Sequence, residues 1–216
     1  MAEEKRAEDL GRRERKKREL REALESNALR LFQRKGYDAT TIQDITDAVD
    51  VSVRTFFRYF DSKEAVLFGD WRKYTESSYH LIMSRPPEEP PLVALFEAAK
   101  ELVKLDRENE DRLKLIQKLV SKSRKIGDYE RNVIYPEFER SVARALAERM
   151  GVDVRKDPRP VLAAAMAAAA WTTARKLWMA SGGKLSMTEL LEMAFDFASQ
   201  AAGQQPETQR KRGRRH

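Results

Sequence analysis

Residues 40–64, TTIQDITDAVDVSVRTFFRYFDSKE, constrain this chain more than any other stretch, because they hold two short helical patterns separated by only a tight turn. The first keeps Ile42, Ile45, Ala48 and Val49 for packing, and the second begins after Val51 with Ser52 placed to cap its first turn. Two helices joined in this way have helix-turn-helix geometry. In such a unit the second helix enters the major groove of duplex DNA while the first crosses the phosphate backbone. The residues opening the second helix, Ser52, Val53, Arg54 and Thr55, would then face base edges.

The remainder of the chain reads as helix throughout. Leu20, Ala23, Leu24, Ala28, Leu31 and Phe32 recur at three- and four-residue steps between Arg12 and Lys35, and Gly36 is the natural stop. This long first helix would cover the backs of the two short ones. Ser62 caps a fourth helix, with Glu64 in its first turn, running through Trp71 and Tyr74 towards Met83. Residues 84–91, SRPPEEPP, hold four prolines and cannot continue it, because proline lacks the amide donor and clashes with the preceding turn. Helical patterns follow at 92–105, 112–120, 128–150 (interrupted by Pro136), 160–180 and 186–200, with no strand-like alternation of useful length. The fold class expected is all-α with about nine helices.

Charge is concentrated at the two ends. Residues 12–21 hold seven Lys/Arg and two Glu, and residues 204–216 hold five Lys/Arg and one Glu. The chain totals +7, so the part between and around them sums to −2. A basic arm ahead of a helix-turn-helix can lie along phosphates and strengthen binding without adding sequence information. Either that or a solubilising terminus explains each end. The expected organisation is a basic, partly disordered arm at 1–20, a DNA-binding domain at 21–81, a proline-rich linker at 82–91, a helical domain at 92–202 and a basic disordered tail at 203–216.

Several classes of function are disfavoured. With no cysteine there are no disulfides or thiolate metal sites, and the two histidines, His80 and His216, stand far apart without ligand-like neighbours. No phosphate-cradling glycine loop, nucleophile elbow or metal-binding His-Glu pair is present, so neither catalysis nor a cofactor is expected. The first twenty residues lack the apolar core of a signal peptide, and the most apolar run, Val161–Trp171, is too short to cross a bilayer. The expectation is a cytoplasmic protein with no membrane partner, on the nucleoid when bound to DNA.

The string ALRLFQRKGYDATTIQDITDAVDVSVRTFFRYFDSKEAVL, residues 28–67, resembles the N-terminal domain of TetR-family bacterial transcriptional regulators. The similarity rests on Ala-x-x-Leu-Phe in the first helix, Gly36, the Thr40-Thr41 pair, Val51-Ser52, Thr55, Tyr59-Phe60 and Lys63-Glu64. It implies contacts to double-stranded DNA from Thr41, Gln43, Ser52, Phe57, Arg58, Tyr59 and Lys63, with base reading by Val53, Arg54 and Thr55. Arg54 suits a bidentate contact to guanine, and Val53 and the Thr55 methyl suit a thymine methyl. Two positions depart from the family pattern. Asp50 stands where glycine is common in the turn, and Phe57 replaces a common tyrosine and its hydroxyl. Arg58 offers a charge-assisted phosphate contact in compensation.

Residues 112–200 are similar to the acyl-CoA-like ligand-binding domain of mycofactocin-system regulators, through PEFERSVARALAERMG and the Ala-rich helix ending ARKLWMASG. The resemblance implies a homodimer and a small-molecule effector, with an acyl-CoA as one candidate, acting on a repressor that releases a palindromic operator. Trp71, Tyr74, Phe96, Met166, Trp171 and Trp178 are candidates to line an apolar pocket, with Arg175 for an anionic group, although most aromatics at helical spacing are core. The alternative is a non-specific or architectural DNA-binding protein that uses its basic ends.

Overall fold

A computed structural model describes residues 2–69, 71–107 and 110–203, and side chains at 11–69, 71–104, 112–116, 118–198 and 200. The basic tail expected at 203–216 lies outside the described residues from 204 onward. Among the described residues the chain is helical, with no strand. It forms α1 (Ala2–Lys35), α2 (Ile42–Asp47), α3 (Val53–Phe57), α4 (Lys63–Phe68), α5 (Trp71–Met83), α6 (Pro91–Arg107), α7 (Glu110–Val120), α8 (Arg124–Tyr129), a π-helical turn (Glu130–Ile134), α9 (Tyr135–Met150), α10 (Arg159–Ala180) and α11 (Met187–Gly203).

The nine helical stretches read from the sequence are there, and two of them are divided. The fourth breaks at Gly69, whose φ of 67° and ψ of −141° belong to a region only glycine enters freely. The stretch before Met150 divides at the π-helical turn. Pro136 has no amide hydrogen for the Asn132 carbonyl, and the chain passes through wider hydrogen-bond spacing before α9 resumes. At the other end of the chain α1 starts at Ala2, so the basic segment before Arg21 continues the first helix.

The chain divides into two compact units. The first comprises residues 1–71 together with 114–131, and the second comprises 72–113 and 132–216. In the first, Leu24, Ala28 and Phe32 of α1 are buried with Ile45 of α2, Phe56 of α3 and Val66 and Leu67 of α4. Ile116 and Leu119 of α7 and Ile126 of α8 complete that core, and Tyr129 stacks on Phe68 with ring centroids 5.7 Å apart. The unit that carries the helix-turn-helix therefore also takes in a segment from the middle of the chain.

The second unit is built from smaller side chains. Ala143, Ala145 and Ala147 of α9 and Ala164, Ala168 and Ala174 of α10 are buried, and α10 packs chiefly on α9 and α11. Small side chains allow helix axes to approach closely. A second cluster joins Leu102 and Val103 of α6, Trp171 and Ala174 of α10 and Leu191 of α11.

The proline-rich segment is tied down by Arg149. Its guanidinium donates to the carbonyls of Ile82 and Arg85 at 3.3 and 3.0 Å, and to those of Pro86 and Glu89 at 2.6 and 3.1 Å. A planar, five-donor head answers several carbonyls that a helix-breaking run leaves open. Within the segment Arg85 pairs with Glu89.

Candidate nucleic-acid interface

The reading unit is held together by polar side chains that cap and bridge its short helices. Thr41 is the N-cap of α2: its hydroxyl accepts the Asp44 amide at 3.0 Å, and the Asp44 carboxylate accepts the Thr41 amide at 2.8 Å. Asp44 also pairs with Lys35 at 2.8 Å. The Lys35 ammonium, with the Thr41 amide and hydroxyl, holds this carboxyl well below the usual range. Six residues make a marginal helix alone, so α2 depends on this box and on the buried Ile45 and Thr46.

Between α2 and α3 the chain turns through Asp50, the one non-glycine residue with positive φ (53°) among the described residues. Asp tolerates the left-handed region better than most side chains, and the Val51 amide donates to the Thr46 carbonyl at 3.1 Å to close the turn. Ser52 then caps α3 by accepting the Thr55 amide at 3.1 Å, and its hydroxyl lies 3.0 Å from that of Thr55. Phe56 is fully buried and fixes the rotation of α3. That rotation leaves Arg54, Phe57 and Arg58 exposed, with Val53 and Thr55 partly so. Phe57 is 51% exposed and meets Phe56 edge-on. A single exposed phenylalanine is ordinary on a protein surface, so its exposure alone assigns it no partner.

The remaining sequence-predicted contacts are placed as follows. Gln43 is exposed on α2 and donates to Asp47 at 2.6 Å. Tyr59 is half-buried, with the Arg58 guanidinium 5.3 Å above its ring. Lys63 is half-buried, and its ammonium donates to the carbonyls of Tyr37 and Thr40, both at 2.8 Å, over the Tyr37 ring. Burial pushes its pKa down against the neighbouring carboxylates Glu64 and Asp38. Lys63 thus holds the α1–α2 turn, with one N–H of three left for anything outside.

Sequence reasoning missed the residues that hold α3 and α4 on α1. Arg21 donates to the Tyr59 carbonyl at 3.0 Å and to the Gly69 carbonyl at 3.1 Å, lies over the Phe60 ring and pairs with Glu25. It belongs to a basic run, where charge alone does not single it out. Its one distinguishing signal is phase, since it shares a helix face with Leu24 and Ala28 three and seven residues on. The second hidden pair is the Tyr37 hydroxyl donating to Glu64. Burial, then this bond, pushes the Tyr37 pKa far up. Burial also works to raise the Glu64 carboxyl, but hydrogen bonds from Tyr37, from its own amide and from Ser62, with the Lys63 charge, outweigh it and hold that pKa below normal.

The ligand candidates do not all converge. Tyr74, Phe96 and Trp171 share one apolar cluster in the second unit. Arg175 donates to the Tyr135 hydroxyl at 2.7 Å in the same unit, and Trp178 is half-buried. Trp71 belongs to the first unit, and Met166 is 63% exposed on the outer face of α10. No group of three or more metal-ligating side chains occurs among the described residues, and none of their helices is long and apolar enough to cross a membrane.

Two stretches of the chain match known families. Residues 26–68 match the profile of "Bacterial regulatory proteins, tetR family", and residues 89–202 match "MftR C-terminal domain". The HTH-type transcriptional regulator TcmR of Streptomyces glaucescens is 32% identical over 199 residues, covering 87% of this chain and 84% of that protein. The biofilm operon icaADBC negative transcriptional regulator IcaR of Staphylococcus epidermidis is 31% identical over 61 residues, 28% of this chain and 31% of its own. A TetR-family regulator from Syntrophomonas wolfei shares the fold with a TM-score of 0.57 at 20% identity, covering 88% of this chain and 98% of that one.

Proposed function

This chain belongs to the TetR family of bacterial transcriptional regulators, a helix-turn-helix DNA-binding family, and on that premise we propose that it is a homodimeric repressor that a small-molecule effector releases from a palindromic operator. The observation that carries the reading is the presentation of α3. Phe56 buried on one side and the Ser52 cap at its start leave Arg54 and Arg58 outward, with Val53 and Thr55 beside them. Arg54 reads a base edge, Arg58 and Tyr59 meet phosphates, and Thr41, Gln43 and Lys63 approach the backbone from α2 and α4.

Two such helices are needed for a palindrome, and the second unit has a surface suited to bring them together. Leu162 and Met166 of α10 and Met193 and Phe197 of α11 are exposed, Met193 at 68% and Phe197 at 77%. An apolar face of this kind is characteristically covered in an assembly. Against a second copy across a two-fold axis, α10 and α11 form half of a four-helix bundle, which sets the readers about 34 Å apart, one turn of DNA. The opposite face of α10, with Ala164, Ala168 and Ala174, fills the subunit core, so one helix serves both purposes.

The effector is of the acyl-CoA class that the resemblance of residues 112–200 implies, held in the second unit near Tyr74, Phe96 and Trp171 with Arg175 directed at its anionic end. The name of IcaR, a negative regulator, supports repression as the sign. A ligand-driven shift has two covalent routes into the reader: α5 into the Gly69 carbonyl that Arg21 holds, and α7–α8, whose residues 114–131 belong to the reader's own core. The site of action is then the cytoplasm, on nucleoid DNA. A footprint on the DNA flanking the protein's own coding sequence, repeated with a panel of acyl-CoA thioesters, tests the proposal. The expected result is a protected palindrome released by one of them. Protection spread evenly along the DNA, or none, would overturn it.

A further inference from the structure

The part of α1 that precedes Leu20 stands apart from the core. Leu20 is the first residue of the helix that packs on the reader's core, and residues 11–19 are all exposed. A helix does not persist in water for its own sake, and here it is propagated from a packed segment that begins at Leu20. Seven Lys/Arg in residues 12–21 make this the densest run of cations among the described residues. Arg15 and Arg18 stand 4.0 Å from Glu19 and Glu22, at the limit of ion pairing, while Arg12, Arg13, Lys16 and Lys17 have no carboxylate partner among the described residues.

The extension is continuous with the interface and fixed in direction. Arg21 is bonded to the Tyr59 carbonyl at the end of α3, and Arg58 lies over the Tyr59 ring. Lys17 precedes Arg21 by one helical turn, about 6 Å along the axis, and the helix from Lys17 back to Arg12 adds about 7.5 Å of charged rod beyond it. The positive charge thus runs from Arg58 through Arg21 into the helix, and the extension is held as a rod instead of trailing as a tether.

We propose that this basic extension of α1 is a second DNA-binding element, which lies on backbone phosphates flanking the bases read by α3 and contributes affinity without base preference. The inference rests on the operator-binding reading above. It also accounts for a deficit in the reader itself, since in residues 40–64 the three cations Arg54, Arg58 and Lys63 are outnumbered by Asp and Glu. The occupant is duplex DNA because the charge is clustered, poor in carboxylate partners and contiguous with α3.

The test uses the full chain and a 40-base-pair duplex selected by it from a random pool, titrated from 50 to 300 mM salt. The variant is Arg12→Gln, Arg13→Gln, Lys16→Gln and Lys17→Gln together, which keeps good helix formers and leaves Arg21 in place. The expected result is a salt slope shallower by about 0.9 for each phosphate that the helix no longer neutralises, up to about 3.6 for four, with affinity at 150 mM down by about tenfold or more. The ratio of affinities for the selected and a scrambled duplex should stay as in the parent. The charge-conserving variant R12K/R13K/K16R/K17R should restore slope and affinity. An unchanged slope in the glutamine variant, or a collapsed ratio with affinity, would overturn the inference. If the parent chain itself does not prefer its selected duplex over the scrambled one, the operator reading fails instead.

Discussion

The two units of this protein stabilise themselves by different means, and the contrast indicates what each is for. The reader is short-helical and cross-braced: Thr41 and Asp44, Ser52, Ser62 and Arg21 answer backbone groups at the ends of five- and six-residue helices, and Lys63 ties the turn between α1 and α2. Its core is large and aromatic, with Phe32, Phe56 and Phe60. The second unit uses long helices, whose backbones need little help, and alanine-lined contacts, and it leaves large apolar side chains outside. A unit that must hold a few side chains in register with DNA spends its polar groups on rigidity. The second unit keeps apolar surface uncommitted, as the proposed roles in self-association and ligand binding require.

The sharpest way to break this contrast is at adjacent phenylalanines. Phe56→Ala should destabilise the reader by about 3–5 kcal/mol, because a fully buried ring is lost from a core that cannot easily collapse. Denaturant melts would show a loss under about 1 kcal/mol if the reader were held by its polar braces alone. Next in size, Phe197→Glu should weaken self-association by about 2–4 kcal/mol by placing a charge on the exposed face of α11, while leaving the fold melt near that of the parent. Sedimentation equilibrium showing an undisturbed dimer would remove α11 from the interface. Arg149→Ala should cost about 1.5–3 kcal/mol, since several carbonyls of the proline-rich segment lose a charged donor. A neutral result by thermal melt would mean that water replaces the guanidinium fully.

Acid separates the units as well. Asp44 and Glu64, both in the reader, have folded pKa values below the ordinary carboxylate range. Their stabilisation is fully present above the unfolded value of about 4 and is lost as pH falls through the folded value. In the second unit the depressed carboxyls of Glu89, Asp153 and Asp157 pair with arginines two or four residues away and brace only turns. The reader should therefore lose helicity and DNA binding in acid before the alanine-rich unit does, followed in a Trp71→Phe background, where the tryptophan signal comes from Trp171 and Trp178 of the second unit alone. Asp44→Asn should flatten part of that dependence. The smallest expected effect on stability is from Phe57→Ala, about 0.5 kcal/mol or less in a fold melt, because the ring is already in water.

Much of the architecture is legible in the sequence because it is local. The all-α class, the cap at Ser52 and the stop at Gly36 follow from residue type and spacing within a few positions, and the left-handed turn at Asp50 is legible only through the family resemblance, in which glycine is common there. What is not legible depends on partners far away in the chain. Arg21 reaches Tyr59 and Gly69 across 38 and 48 residues, Tyr37 reaches Glu64 across 27, and Arg149 reaches Pro86 across 63. Charge and hydrophobicity read along the chain rank Arg21 with Arg18 and Lys17, although one braces the fold and the others face solvent. The inclusion of residues 114–131 in the reader is hidden for the same reason, since Ile116, Leu119 and Ile126 look like any helix face until their partners on α1 and α4 are known. The break at Gly69 lies between: the glycine is visible, and its backbone conformation is not.

The role of α3 stands most directly on Arg54. In competition binding of the full chain to its selected duplex, to the same duplex with one base pair changed at each position in turn, and to random DNA, the parent should favour the selected site by about 10³ or more. Arg54→Ala should lose about 1–3 kcal/mol on the selected site, with the loss confined to one base pair per half-site and random-DNA affinity nearly unchanged. A variant that keeps the parent's full base preference, or that weakens equally on every sequence, would contradict the assignment of Arg54 as the base-reading side chain of α3.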